Sequence, residues 1–321
     1  MTHRRLGRSA LQVSTLCLGT MNFGPRTSEA ESFRILDRAL DAGINFIDTA
    51  DQYGGALGVG TTEAILGRWL AQDRARKERV VLATKVHEPM SDDVNDRGLS
   101  ARHIRRACEA SLRRLGVEHI DLYQMHHIDR AAPMEEVWDA LDRLYAQGKV
   151  TYLGSSNFPG WAIARANEKA LARQRLGLVA EQGLYNLVER RAEMEVIPAC
   201  EAYGLGLIPW SPLAGGLLGG VDAGGAGRRG SAAAQAARQA RADQLARFEA
   251  LCAGLGEAPG AIALAWLLHQ PTVAATIIGP ASVAQLESVL HVPGIVLDDA
   301  TRASIDEIFP PCGAAPEAYA W

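Results

Sequence analysis

At 321 residues and 48% apolar composition, the chain can bury a sizeable core, as one large α/β domain or as two ordinary ones. Its formal net charge of −4 is spread along the sequence, which leaves no basic face for nucleic acid, and its longest strongly apolar run, 261–268, is too short to cross a bilayer. Five cysteines (Cys17, Cys108, Cys200, Cys252, Cys312) are odd in number and show no paired metal spacing, so reduced thiols are expected. The opening Met-Thr-His-Arg-Arg-Leu-Gly carries no apolar stretch of the secretory kind, and a cytoplasmic protein is the expectation.

Hydrophobic periodicity gives short apolar runs alternating with amphipathic segments. Residues 4–13, with a Gly7-Arg8-Ser9 turn, read as a hairpin. A strand over 15–18 precedes a helix capped near Thr27-Ser28, with Glu29 and Glu31 in its first turn. The next two strands end at Asp48 and Lys85, with a helix over 61–71 between them, and a helix over 100–115 stops before Gly116. Then come a strand over 120–126, a helix over 133–148, a strand over 150–154, a helix over 159–173 and a strand over 178–181. A helix over 191–203, a strand over 206–210, a helix over 259–269, a strand over 274–278 and a helix over 282–290 complete the pattern.

Eight strand–helix units with no linker between halves predict one (β/α)8 TIM barrel over 1–321, preceded by a β-hairpin. One stretch breaks the rhythm. Residues 214–241 are rich in Gly, Ala and Arg and read as a mobile loop insertion; because they follow a strand end, a lid over the barrel mouth is the other reading.

Four residues stand at or just past successive strand ends: Asp48, Tyr53, Lys85 and His126. In such a barrel these ends converge on one face, so residues far apart in sequence can meet in one pocket. A phenol has an ordinary pKa of about 10 and gives up its proton reluctantly, but a nearby ammonium stabilises the phenolate. Lys85 can supply that ammonium, Asp48 can keep it charged, and His126 can hydrogen-bond a carbonyl oxygen or extend a proton relay. Singly, each has a plainer reading: Asp48 as a turn cap, Lys85 as a snorkelling surface group, and His126-His127 with Asp129 as metal ligands hampered by opposite strand faces. Together they form a device for protonating a reduced carbonyl.

The segments Asp48-Thr49-Ala50 with Tyr53, Ala83-Thr84-Lys85 and Asp121-Leu122-Tyr123-Gln124-Met125-His126 resemble the catalytic segments of the aldo-keto reductases. The resemblance spans nearly the whole chain. It implies a barrel that uses NADPH without a Rossmann domain, with Tyr53 as general acid. Gly154-Ser155-Ser156-Asn157-Phe158 is similar to the family's carboxamide clamp, which implies Ser156, Asn157 and Gln182 as nicotinamide contacts. Trp210-Ser211-Pro212-Leu213 is similar to the segment that stacks on nicotinamide and holds pyrophosphate; Gly215 extends it.

The adenosine end departs from the family pattern. Ile278-Gly279-Pro280-Ala281-Ser282 has Ala281 where an arginine is common, and Ser288-Val289 replaces Glu-Asn. Ile278, Gly279, Ser282 and Gln285 remain candidate contacts, NADPH stays the expected cofactor, and the missing cation leaves NADH open.

Two other patterns carry less. Tyr145-Ala-Gln-Gly-Lys149 spaces a tyrosine and a lysine as short-chain dehydrogenases do, but Gly148 ends the helix between them, and Gly254-Leu-Gly256 follows no strand. Within the family, Gly98 to His103, Gly154 to Asn157 and Leu184 to Leu187 look like actinobacterial deoxysugar-pathway enzymes. That likeness implies a dTDP-linked keto-6-deoxyhexose as substrate, with Arg228 and Arg229 available for its diphosphate. A broad aldehyde and ketone reductase is the alternative, and a cofactor-sensing regulatory β-subunit a third. A small-molecule carbonyl is thus the expected partner, and a homo-oligomer is left open.

Overall fold

The computed structural model describes residues 1–220 and 232–320. Two short antiparallel strands open the chain, β1 (His3–Arg5) and β2 (Gln12–Ser14), in the register Arg4↔Val13. Their turn packs against the barrel floor. Gly7 lies at φ +54°, and a Cβ there would sit 2.3 Å from the Val179 carbonyl oxygen, so only glycine fits.

Eight parallel strands follow: β3 (Leu16–Gly19), β4 (Phe46–Asp48), β5 (Val81–Val86), β6 (Ile120–Met125), β7 (Val150–Ser156), β8 (Leu178–Gln182), β9 (Gly206–Leu207) and β10 (Thr276–Ile278). They pair in the order β10-β3-β4-β5-β6-β7-β8-β9. Between β9 and β10 a parallel bridge links Leu207 to Val273, and the Ala274 amide donates to the Leu207 carbonyl at 2.9 Å. The architecture is that of a (β/α)8 barrel with an N-terminal hairpin.

Strand alternation sorts the side chains into layers. Phe46, Val81, Ala83, Leu122 and Ala180 point inward with Leu6 and Val13 of the hairpin and form an apolar floor. Outward residues such as Ile47, Leu82 and Tyr123 pack under the helices; Leu178 joins them, opposite to Ala180, because the β7–β8 register shifts between the two. One step above the floor, the inward positions change to Asp48, Lys85, Gln124 and Gln182, all buried. The mouth-side layer of the barrel interior is polar by sequence.

Several boundaries differ from expectation. The seventh barrel strand, predicted over 206–210, pairs as a strand only at Gly206–Leu207, because Pro209 has no amide to donate. The helix predicted over 191–203 divides into a 3-10 turn, Arg191–Glu193, and a helix, Val196–Tyr203. Pro198 is tolerated only in a first turn, which sets the later start.

Helices at Arg74–Arg79, Ala242–Gly254 and Asp299–Ile308 lie where none was predicted. The second buries Leu245, Phe248 and Cys252, a helical spacing legible in the sequence but obscured by the Ala/Arg-rich residues before it. Of the stretch read as an insertion, Ala214–Gly219 forms 3-10 turns and Ala232–Gln239 a helix, in keeping with the high helix propensity of alanine, glutamine and arginine. Residues 221–231, including Arg228 and Arg229, lie outside the described residues.

Candidate active site

The four strand-end residues meet. Lys85, at 0% exposure the most deeply buried cation of the mouth, has three ammonium protons and finds three acceptors. Its Nζ donates to Asp48 Oδ2 at 2.6 Å, to the Thr49 carbonyl at 2.8 Å and to Tyr53 Oη at 3.3 Å. Asp48 Oδ1 accepts from the side-chain amides of Gln182 at 2.9 Å and Gln124 at 3.2 Å. A carboxylate can only accept, so both amides must turn their nitrogen toward it. The result is a closed buried ring in which the ion pair is fully hydrogen-bonded, the condition under which burying two charges is sustainable.

The electrostatics follow from this arrangement. Burial by itself would drive the proton from Lys85, but Asp48 and Tyr53 outweigh it, and the ammonium holds its proton more firmly than an ordinary lysine. Tyr53 is displaced upward, because burial exceeds the opposing pull of Lys85. The sequence suggested a phenol made more acidic by the ammonium; here the ammonium offsets only part of the burial cost. Tyr53 therefore remains protonated at neutral pH. Its oxygen accepts from Lys85, so its own O–H stays available to a substrate.

His126 is held neutral. Burial, then the Lys85 cation, then His127 and His87 push it down to about 2. Its ring meets Tyr53 edge to face, with centroids 5.9 Å apart. Its Nδ1 is buried without a partner, which leaves Nε2 as the open nitrogen. Such an imidazole can donate or accept one hydrogen bond at Nε2 but cannot act as a cationic acid at neutral pH.

His127 stacks on His126 at 5.1 Å with 17° between the rings. Opposite faces were expected, but β6 ends at Met125, so alternation no longer applies there. Asp129, weighed with them as a metal ligand, instead caps the Leu99 amide at 2.9 Å and the Ala131 amide at 3.0 Å.

The expected clamp residues gather beside this ring. Asn157, in left-handed backbone at φ +56°, donates to the His126 carbonyl at 3.1 Å and to Ser156 Oγ at 3.1 Å. It accepts from Trp210 Nε1 at 3.0 Å. Ser156 Oγ donates to the Gln182 carbonyl at 2.9 Å. Ser211 is also left-handed, at φ +53°; its carbonyl accepts from Asn186 and its Oγ from the Gly215 amide. Pro212 and Leu213 follow it into the 3-10 turn that contains Gly215, beside which there is open space.

The last group lies apart, after β10. Ile278 is buried in the outer core, and the Gly279 carbonyl accepts from Asn22 at 2.8 Å. Ser282 caps the helix Val283–Glu287 through the Gln285 amide, and Gln285 Oε1 accepts from the Ala281 amide at 2.8 Å.

Two members of the site went unread in the sequence. Gln124 stands two residues before His126, and a polar residue at an inward position was the available signal. Glu181 points the other way, out of the barrel, where a fully buried carboxylate has no motif to announce it.

The chain belongs to the aldo/keto reductases: the profile of the Aldo/keto reductase family matches residues 15–309. It is 51% identical over 327 residues to the uncharacterized oxidoreductase YrpG of Bacillus subtilis (strain 168), covering 100% of both chains. It is 34% identical over 322 residues to norsolorinic acid reductase stcV of Emericella nidulans, covering 96% of this chain and 81% of that one. A third relative is the versiconal hemiacetal acetate reductase of Aspergillus parasiticus, 33% identical over 302 residues, 85% of this chain and 87% of that one. The family's members are oxidoreductases that generally use NAD(P)H. Among the described residues, no single helix is long and apolar enough to cross a membrane.

Proposed function

We propose that the protein reduces a ketone or aldehyde with a reduced nicotinamide dinucleotide, Tyr53 donating the proton. The observation that carries this reading is Lys85 Nζ, bound at once to Asp48 and to Tyr53 Oη. The site's polar groups fit the cofactor's nicotinamide end. Gln182 Oε1 accepts no hydrogen bond among the described residues, which leaves an acceptor for a carboxamide beside Ser156 and Asn157. Trp210 presents a ring anchored through Nε1, and the backbone is open beside Gly215, where the family resemblance implies pyrophosphate contacts.

When bound, the cofactor supplies hydride. The chain's own residues do the rest. Tyr53 Oη–H and His126 Nε2 hydrogen-bond the carbonyl oxygen and polarise it. As negative charge develops on that oxygen, Tyr53 gives up its proton, and Lys85 stabilises the phenolate that remains. Replacing Tyr53 with Phe removes only the donor. Reduction should be lost while cofactor binding, followed by protein fluorescence, survives; substantial residual turnover would sink the assignment.

For the substrate, a dTDP-linked keto-6-deoxyhexose is the specific proposal, supported by the likeness of the clamp and strand-end segments to deoxysugar-pathway enzymes. Small aldehydes and ketones are the competing class, and norsolorinic acid and versiconal hemiacetal acetate belong in the comparison because relatives are named for them. A panel of these carbonyls, read by NADPH oxidation, decides: turnover of simple aldehydes with none on the nucleotide sugar rules out the specific proposal.

A further inference from the structure

The tip of β8 grips the clamp through a residue that never reaches the barrel interior. Gln182 points inward to Asp48, so its neighbour Glu181 points outward, between sheet and helix, at 0% exposure. Glu181 Oε1 accepts from the Phe158 amide at 3.0 Å, and Ser155 Oγ hydrogen-bonds Oε2. Beside these contacts, the Gln182 carbonyl accepts from the Asn157 amide at 3.0 Å and from Ser156 Oγ at 2.9 Å. Every residue from Ser155 to Phe158 is thus tied to two consecutive residues of β8. The turn holds Asn157 in left-handed backbone, which costs an asparagine less than most residues and which these surrounding hydrogen bonds offset. Asn157 in turn fixes the His126 carbonyl and the Trp210 indole.

We propose that Glu181 is a positioning residue for the cofactor: through the 155–158 turn it sets Asn157, and through Asn157 it aligns Trp210 and the end of β6 that carries His126. It touches neither substrate nor cofactor, and its side chain lies behind the barrel wall. The inference rests on the nicotinamide reading of the clamp given above.

Glu181 holds its proton unusually well. Burial raises it to about 8, against the pull of the Ser155, Phe158 and Asn157 hydrogen bonds. No cation among the described residues pairs with it. The titratable group facing it is the Cys200 thiol on helix Val196–Tyr203, itself held protonated by burial and by Glu181. At neutral pH the carboxyl is mostly uncharged, and a glutamine reproduces its shape and hydrogen-bonding. Above pH 8 the native side chain becomes a buried unpaired charge directly behind the clamp, and the glutamine does not.

The test is cofactor affinity measured by quenching of protein fluorescence across pH 6.5–9.5, on the full chain, with NADPH and NADH as probes. Glu181→Ala should weaken binding at pH 7 tenfold or more, with KM for cofactor rising by a larger factor than kcat falls. Glu181→Gln should restore most of the affinity at pH 7 and, unlike native protein, should not lose affinity as pH rises through 8. Alanine binding within twofold of native, or a glutamine variant with the native alkaline limb, overturns the proposal. If the alanine variant does not fold, Ser155→Ala, which removes the contact to Oε2, decides at pH 7: cofactor affinity unchanged from native overturns the proposal. Native protein that binds neither cofactor would instead overturn the functional reading itself.

Discussion

The side of the mouth around Asp48 and Lys85 and the side after β10 are built differently. From β4 to β7 the strands pair in continuous register, β8 joins with one shift at Leu153/Gly154, and the polar groups at their tips close on one another around Asp48 and Lys85. After β10 the candidates Ser282 and Gln285 sit on a short helix start, and their hydrogen bonds serve local caps. Nearby carboxylates are occupied too: Glu31 accepts from the Val283 amide at 2.9 Å, and Glu287 pairs with Arg38. One side is a rigid constellation set by the fold, where reacting atoms must be held closely. The other is a surface whose contacts can change residue by residue without disturbing the barrel.

If that contrast holds, substitutions on the first side should be severe and coupled, and those on the second mild and separable. The largest effect belongs to Lys85→Met. It strands Asp48 as a buried charge without its cation, which should cost about 3–5 kcal/mol of stability as well as activity. Calorimetry beside turnover measurements reads both; native stability would contradict the closed ring. Tyr53→Phe should lower kcat by about 10²–10⁴-fold, the usual contribution of a positioned general acid, with a small change in Tm.

Gln124→Leu removes one of two amide donors to Asp48 and should cost about 1–3 kcal/mol in chemical denaturation. A neutral result would mean that Gln182 alone satisfies that oxygen.

An intermediate effect concerns acid. The folded protein holds His126 down near 2, whereas an unfolded histidine titrates near 6.5, so across that interval the unfolded state binds the extra proton. Stability should therefore rise with pH through this window and be lost on acidification. Tm measured against pH should show a flatter acid limb for His126→Gln than for native protein; identical limbs would show that His126 does not carry the acid response.

The smallest effects are expected after β10. Ser282→Ala should cost about 1 kcal/mol as a lost helix cap and shift cofactor affinity only a few-fold. With Ala281 in place of a cation, NADPH should be preferred over NADH only modestly, and equal kcat/KM for the two would remove that preference altogether.

How much of this was legible depended on range. Strand ends at Asp48 and near Lys85 and His126 could be read because short apolar runs and their polar terminators are local signals. The cap at Ser28 was equally visible, since a cap needs only a hydroxyl and an amide three residues on; Ser100 and Ser282, read as the first residues of their helices, prove to cap them. Family resemblance then pointed to the turn around Asn157. The division of the 191–203 helix hid behind a helical pattern, although Pro198 was the clue. The helix Ala242–Gly254 was missed because composition upstream was weighed over its own spacing.

The sequence by itself determined the barrel, the four strand-end residues and the type of chemistry, because strand alternation and motif order are one-dimensional properties. Tertiary structure alone decided the electrostatics. That Lys85 would satisfy all three of its protons, that Tyr53 would be displaced upward and that His126 would be kept neutral depend on burial and on neighbours up to 134 positions apart, as with Gln182 and Asp48. The same holds for Glu181, whose outward, unsolvated position behind the clamp exists only once β7 and β8 pair. Proton affinities are set by distance and dielectric, and neither is written in the order of residues.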